Sequence, residues 1–270
     1  MGDSNGLWFN GVEYLNSTKQ TSVSVGEAKS KKIAIVGGGM SVLMTSLLLT
    51  SVGMTNWHIT ESTERIGGRV RTRCLNDSKP DNYQYQEMRP IRFPVAVKYT
   101  DSNETLDIQD PKLVFQLSDV LNGMNGNDIE PAVNVILASY ASAVQARSVA
   151  ALSEEDHVAL VQEAMVEVHG EIANEQWAGA YDRQCWEVDE HQAGAWASVA
   201  VGQQELFIPA YHKSELNTIF IGDHTSITHA WIFFALESAV RGTTQLLLEL
   251  GLVDEVKKVV DTWMARWITI

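Results

Sequence analysis

Residues 33–42 read IAIVGGGMSV, in which the apolar run 33–36 is followed by three consecutive glycines. The leucine-rich stretch LMTSLLLTSV follows at 43–52, and this order is typical of a strand, a tight turn and a helix. NWHIT at 56–60 predicts a second strand, and Glu61 comes directly after it, 24 residues after Gly37. The pattern predicts a βαβ unit in which Glu61 has nearly the spacing of an acid that binds a ribose.

The glycine turn is also the most suggestive candidate site. Gly37 and Gly39 let the chain turn tightly and bring N–H groups to a pyrophosphate, at the positive end of the following helix. The third small position of the G-x-G-x-x-G pattern is Val42, whose branched side chain we expect to crowd the helix against the strand. A glycine-rich connection without any ligand is the alternative interpretation.

The composition restricts the class of partner. The chain has 270 residues, of which 45% are hydrophobic, and a formal charge of −14. This charge repels phosphate backbones and anionic membrane surfaces, so we expect a small-molecule substrate, no nucleic acid and no membrane partner. No run is long enough to span a bilayer and the start lacks a secretory pattern, which predicts a cytoplasmic location. No metal is expected, because the spacing supplies no third ligand beside His224 and His229.

The periodicity along the chain predicts an α/β protein with a reduced, Rossmann-like parallel sheet flanked by helices. An arm is expected at 1–30, the Rossmann-like domain at 31–125 and 155–270, and a joint at 126–154. Four further helices are predicted at 112–121, 154–168, 230–250 and 253–267, the third with Glu237 and Arg241 at i,i+4 spacing. Three adjacent parallel strands are predicted at Ile33–Val36, Trp57–Thr60 and Ile219–Ile221.

Four ordered stretches carry a family resemblance: 33–72, YQEMRPIRFP at 85–94, GAYDRQCWEVDEHQAGAW at 179–196 and FIGDHTSITHAWIFFALESAVRG at 220–242. Together they resemble the flavin-dependent L-amino acid oxidases, the fungal ones in particular. The similarity covers most of residues 31–125 and 155–268. The ordered set is far more specific than a glycine turn alone.

The resemblance implies an FAD site and a substrate site. Arg92 corresponds to the arginine that binds the substrate carboxylate, and Trp231 falls in the segment that covers the substrate. Asp223 falls where the family has a glutamate that faces the ribityl and phosphate region of the flavin. The other positions that match the cofactor site are the pyrophosphate turn Gly37 and Gly39, the ribose-binding acid Glu61, and the flavin-lining residues Gly68, Arg69 and Arg71.

The chain also departs from the family pattern. Arg89 replaces a glycine that lies close to the flavin ring, and Asp223 is one methylene shorter than the usual glutamate. The large middle portion of the family is absent near residues 126–154. These departures leave two possibilities open, that the protein binds FAD and that it binds no cofactor.

Three functions compete at this point. The first is a remodelled enzyme that has lost flavin oxidation and catalyses a non-redox ring-forming or isomerising step, with Arg89, Arg92 and His224 stabilising developing charge. The second is a compact FAD-dependent oxidase of an amino acid or amine. The third is a non-catalytic partner subunit. For any of them, deletion of a covering domain is expected to expose apolar surface that a homodimer buries.

Overall fold

The computed structural model describes residues 24–75, 78–79, 85–89, 96–99, 101–102, 104–109, 111–126 and 140–263, without the side chains of Arg89 and Ala143. Most of the predicted arm and part of the predicted joint lie outside these residues. The helices in the described part are α1 Val25–Ser30, α2 Met40–Ser51, α3 Lys112–Asn125, α4 Ala143–Ala150, α5 Glu154–His169, α6 Ile172–Glu175, α7 Gln203–Tyr211, α8 Ile232–Glu249 and α9 Val253–Thr262. The strands there are β1 Ile33–Val36, β2 Trp57–Thr60, β3 Arg71–Cys74, β4 Tyr85–Arg89, β5 Ala96–Lys98 and β6 Thr105–Asp107.

The chain divides into two compact units. Unit 1 falls within Met1–Gly68, Arg92–Asp128 and Trp196–Ile270, and unit 2 within Arg69–Ile91 and Ile129–Ala195. The domain ranges predicted from the sequence stay a prediction. In the described part of both units, no helix is long and apolar enough to cross a membrane. The cytoplasmic location also stays a prediction.

Unit 1 begins with the predicted βαβ arrangement. β1 and β2 pair in parallel, with Ile33 opposite Trp57 and Ile35 opposite Ile59, and α2 connects them. The pairing continues one residue past β1, where the N–H of Gly37 donates to Thr60 O at 2.7 Å. Two of the three predicted parallel strands are therefore adjacent in one sheet.

The core of unit 1 lies around α8. Most of its side chains are buried on every face, as expected for a helix surrounded by other elements. It packs against α2, α3 and α9, which contribute side chains such as Leu48, Leu117 and Val256. At the contact with α2, the hydroxyl oxygens of Ser41 and Ser238 are 3.3 Å apart and both side chains are buried. Small side chains at this contact let the two helices approach closely.

The predicted third strand, Ile219–Ile221, is wrong for the described part of the chain, because these residues pair with no strand there. Side chains of α8 bind their backbone instead. Arg241 donates to Phe220 O at 2.6 Å, and the N–H of Gly222 donates to the Ser238 hydroxyl at 2.9 Å. The segment therefore lies along α8, whose side chains bind backbone groups that a strand would use for pairing in a sheet.

Unit 2 combines the antiparallel pair β3 and β4 with α4, α5 and α6. Arg73 of β3 forms an ion pair with Asp182 at 2.6 Å, and the Asp182 side chain is buried. Arg183 donates to Val149 O at 3.0 Å and to Leu152 O at 3.1 Å, at the end of α4. Arginine contacts with carboxylate and carbonyl groups thus organise this unit.

The close packing of α8 on the 219–221 segment gives a first prediction. A Cβ at Gly242 would lie 2.3 Å from Ile221 Cγ2, so Gly242→Ala should lower the free energy of unfolding by about 1–3 kcal/mol through overpacking. In the matched control Gly123→Ala, on the exposed side of α3, nothing lies within 4 Å of the new methyl group. Helix propensity should then raise stability by about 0.5–1 kcal/mol. Equal effects of both changes in chemical denaturation would contradict this packing.

A second prediction concerns His212, whose Nε2 is 2.9 Å from Thr225 O. Since a carbonyl only accepts, Nε2 carries the proton of the neutral ring. Burial, with a smaller contribution from the charge of Arg241, lowers the pKa of His212 from 6.5 to about 4. The unfolded chain therefore binds a proton in a pH range where the folded protein does not. Stability should fall as the pH drops from 6.5 towards 4, with a His212 contribution of at most about 3 kcal/mol.

Denaturation at pH 7 and pH 4.5 measures this contribution. His212→Gln should lose less stability than the wild type between the two pH values, because it has no ring to protonate. His169→Gln, at the exposed end of α5, should follow the wild type and serves as the control. Identical profiles for His212→Gln and the wild type would exclude the linkage.

Candidate dinucleotide-binding site

The three glycines between β1 and α2 differ in what the fold requires of them. Gly37 has φ +100°, a conformation that side chains with a Cβ rarely adopt. A Cβ at Gly38 would lie 2.7 Å from Glu61 Oε2, so a side chain at this position would displace the carboxylate. Gly39 has φ −76° and ψ 178°, which any residue adopts, and a Cβ there would meet nothing within 4 Å in the described protein. Neither its backbone conformation nor its neighbours therefore require a glycine at position 39.

Glu61 stands at the end of β2 and faces this turn. Its Oε1 accepts hydrogen bonds from the Thr63 N–H and the Thr63 hydroxyl, both at 2.8 Å, and from the Ser62 hydroxyl at 3.2 Å. These bonds, that from the Thr63 N–H first, lower the pKa of Glu61. The carboxylate is ionised at neutral pH and is held in place as an acceptor beside Gly38.

A second glycine turn packs against the first. The N–H of Gly67 donates to Gly38 O at 2.7 Å, and a Cβ at Gly68 would lie 3.3 Å from the Gly39 Cα. The Arg65 guanidinium donates to Ile66 O at 3.0 Å and also to Gly68 O. The structure thus brings together four residues that the sequence predicts in a cofactor site: Gly37, Gly39, Glu61 and Gly68.

The crowding of α2 against β1 predicted at Val42 stays a prediction. Val42 is buried in the core of unit 1, and a Cβ at Gly37 would lie 3.8 Å from its Cγ2, an ordinary van der Waals distance. The side chain packs inward, so α2 still begins directly at the glycine turn. The first turn of α2 carries no acidic side chain and no side chain caps its start, which leaves a positive helix end for an anion.

Asp223 lies in a short 3₁₀ turn, Asp223–Thr225, and is buried. The N–H of the preceding Gly222 donates to Ser238, whose hydroxyl also contacts Ser41 in the first turn of α2. This chain of contacts fixes the Asp223 turn relative to the start of α2. Asp223 and the glycine turn therefore belong to one local arrangement in unit 1.

His224 belongs to the same turn, and Trp231 follows it in the chain. His224 is exposed, and its ring packs edge-on against Tyr211 with centroids 5.3 Å apart. Trp231 is 40% exposed and precedes α8. Their catalytic roles stay predictions.

The remaining predicted residues are four arginines. Arg69 and Arg71 belong to unit 2, where Arg69 donates to Ala195 O at 3.0 Å and Arg71 to Gln184 Oε1 at 3.3 Å. The side chain of Arg89 and the whole of Arg92 lie outside the described residues. The predicted roles of these four side chains stay predictions.

Sequence reasoning missed the residues that support this arrangement. Thr63 orders Glu61, and Ser41 and Ser238 connect α2 to the Asp223 turn. The hydroxyl residues that follow Glu61 in ESTE were a local signal for Thr63, because such side chains bond nearby backbone and acceptor groups. The serine pair gave no signal, since its members are 197 positions apart.

The chemistry of these groups fits a dinucleotide such as the FAD that the resemblance implies. Open space over Gly39, a positive helix start and an ionised carboxylate match a pyrophosphate and a ribose hydroxyl. Within the described ranges, no three His, Cys, Asp or Glu side chains come together as metal ligands. The site is suited to an organic anion.

Comparison with known proteins agrees with this chemistry. Residues 107–247 match the model of the family described as flavin containing amine oxidoreductase. The chain is 47% identical over 174 residues to an L-amino-acid oxidase of Neurospora crassa, which covers 64% of this chain and 24% of that protein. It is 30% identical over 115 residues to an L-amino-acid oxidase of Siganus canaliculatus, 43% of this chain and 22% of that protein. An L-glutamate oxidase precursor of Streptomyces viridosporus is 32% identical over 115 residues, 43% of this chain and 17% of that protein.

The matches therefore span only about a quarter or less of the length of these relatives. The family match nevertheless covers more than half of this chain. The chain belongs to the flavin containing amine oxidoreductase family and is a partial form similar to its L-amino-acid oxidases.

Proposed function

We propose that unit 1 binds the adenosine diphosphate half of FAD. The observation that carries this proposal is Gly39, a glycine that the fold itself does not require. Its Cβ position is open and its φ is ordinary, so the absence of a side chain is best explained by the close approach of a ligand to the backbone. The position is the second glycine of the dinucleotide-binding pattern.

The neighbouring groups receive distinct parts of the cofactor. The N–H groups at the start of α2 would bind the pyrophosphate, and the Glu61 carboxylate would accept a ribose hydroxyl. The Asp223 turn, fixed to α2 through Ser238, would face the flavin half. When bound, the flavin supplies a hydride acceptor for the oxidation of a substrate carbon.

We further propose that the chain takes part in L-amino-acid oxidation. The relatives with the matching segments are oxidases, which supports flavin chemistry with an amino acid as the small-molecule substrate. In this proposal Arg92 binds the substrate carboxylate through a bidentate guanidinium, and Trp231 covers the substrate.

The non-redox ring-forming or isomerising step stays a prediction. It depends on Arg89, Arg92 and His224, and the comparisons give it no support, because they are with oxidases. The visible spectrum of the purified protein separates the two functions. Flavin bands in near-stoichiometric amount would favour the oxidase, whereas a colourless active protein would favour the non-redox enzyme.

Gly39→Ala tests the proposed cofactor site. The methyl group meets open space in the protein, but Gly39 is the N-cap of α2, where alanine is less favourable than glycine, so the free energy of unfolding should fall by no more than about 1 kcal/mol. The same methyl group would occupy space needed by the pyrophosphate, and FAD affinity should fall by about ten- to a hundredfold. Titration with FAD and thermal unfolding measure the two effects.

Gly26→Ala is the matched control. Gly26 lies in α1, a Cβ there also meets nothing within 4 Å, and α1 contributes no group to the site. This variant should bind FAD as the wild type does. The proposal fails if the wild type binds no FAD, or if Gly39→Ala and Gly26→Ala bind FAD equally well.

We also propose that the chain forms a homodimer. Support comes from apolar side chains of α4 and α5 that are strongly exposed, among them Val144, Leu160 and Val168. An isologous contact would bury such side chains in pairs. Light scattering should give twice the chain mass at high concentration, and a monomer mass there would refute the dimer.

A further inference from the structure

Arg241 is a charged residue buried in the centre of α8, with 4% of its surface exposed. Its Nη2 donates to Phe220 O at 2.6 Å and to Thr225 Oγ1 at 3.0 Å, and its Nη1 lies 3.4 Å from Gln245 Oε1. Phe220 precedes Gly222 and Asp223, and Thr225 follows them. One guanidinium nitrogen therefore bridges both ends of the turn that carries Asp223.

Thr225 connects Arg241 to the backbone of this turn. Its hydroxyl accepts from Arg241 and donates to Gly222 O at 2.8 Å, and its N–H donates to the same carbonyl at 2.9 Å. The Thr225 side chain is fully buried. A change at the Arg241–Thr225 contact should thus alter the backbone around Asp223.

Burying a charged arginine costs more free energy than burying an apolar side chain of similar volume. Burial lowers the pKa of Arg241 to about 10, against the opposing effect of the buried Glu237 carboxylate one helical turn earlier. The guanidinium therefore stays protonated at neutral pH. Buried ion pairs often stabilise a fold no better than apolar side chains of similar volume. Its retention beside Asp223 suits a role in geometry rather than in stability.

We propose that Arg241 is a positioning residue, which holds the Asp223 turn through Thr225 in the geometry that receives the flavin half of FAD. This inference rests on the proposed function. Arg241 acts here through the turn, without contact with the cofactor. The adenosine half, held by Glu61 and the glycine turn, should not depend on it.

A matched pair of variants at Thr225 tests the inference. Thr225→Val keeps the shape but removes the hydroxyl that links Arg241 to Gly222, whereas Thr225→Ser keeps the hydroxyl. Thr225→Val should lower FAD affinity about five- to tenfold and leave ADP affinity within about twofold, as expected for the loss of a buried hydrogen bond that serves one half of the ligand. Thr225→Ser should bind both ligands as the wild type does. Arg241→Lys should change the FAD and ADP affinities in the same direction as Thr225→Val. If the lysine variant does not fold, the Thr225 pair alone tests the inference.

The ratio of FAD affinity to ADP affinity separates positioning from stability, because a general loss of folded protein weakens both ligands alike. Lys258→Met is the control for such a loss. Lys258 donates to Ser51 O at 2.6 Å, at the far end of α2, about 18 Å from Gly39. It should lower the unfolding temperature without changing the ratio.

The outcomes are distinct. If the wild type binds FAD and both Thr225 variants bind it equally well, the positioning role is refuted while the cofactor site stands. The same holds if Thr225→Val weakens ADP as much as FAD. If the wild type binds neither FAD nor ADP, the proposed function fails and the inference fails with it.

Discussion

The contact between α2 and α8 is the interaction on which the rest of unit 1 depends. It buries the Ser41 and Ser238 hydroxyls at 3.3 Å from each other, between helices that both contribute apolar side chains to the core. Because Ser238 also accepts from the Gly222 N–H, the start of α2 and the Asp223 turn are fixed to the same helix. A displacement of α8 would therefore move both parts of the candidate site together.

The sequence predicts the local part of this arrangement well. The strand at Ile33–Val36, the glycine turn, the helix and Glu61 each have a short-range pattern, and the structure places them as the pattern indicates. The exact function of each glycine was not predictable, since the space around Gly38 and Gly39 depends on Glu61 and on the distant turn at Gly68. Local patterns identify the turn, and tertiary contacts decide what each residue in it does.

The prediction from local pattern failed where tertiary contacts decide the structure. Ile219–Ile221 has the apolar, β-branched composition of a strand, but Arg241 and Ser238 bind the adjacent backbone groups from another element. The sequence places Glu237 and Arg241 at i,i+4 spacing, and the structure shows that both are buried. No local sequence pattern identifies Thr225 as the hydrogen-bond partner of Arg241.

The charge of the chain explains why the candidate site is built mainly from backbone groups. A protein with a formal charge of −14 repels an anionic dinucleotide at long range, and salt screens that repulsion beyond about 8–10 Å. N–H groups at a helix start act at short range and add no charge that the fold must accommodate. Glu61 is compatible with such a site because it lies at the end of β2 rather than at the helix start. Thr63 and Ser62 hold its carboxylate in an orientation in which it can accept a hydrogen bond from a hydroxyl group. Gly39 completes the arrangement, since backbone dipoles bind an anion strongly only when no side chain keeps the anion away from them.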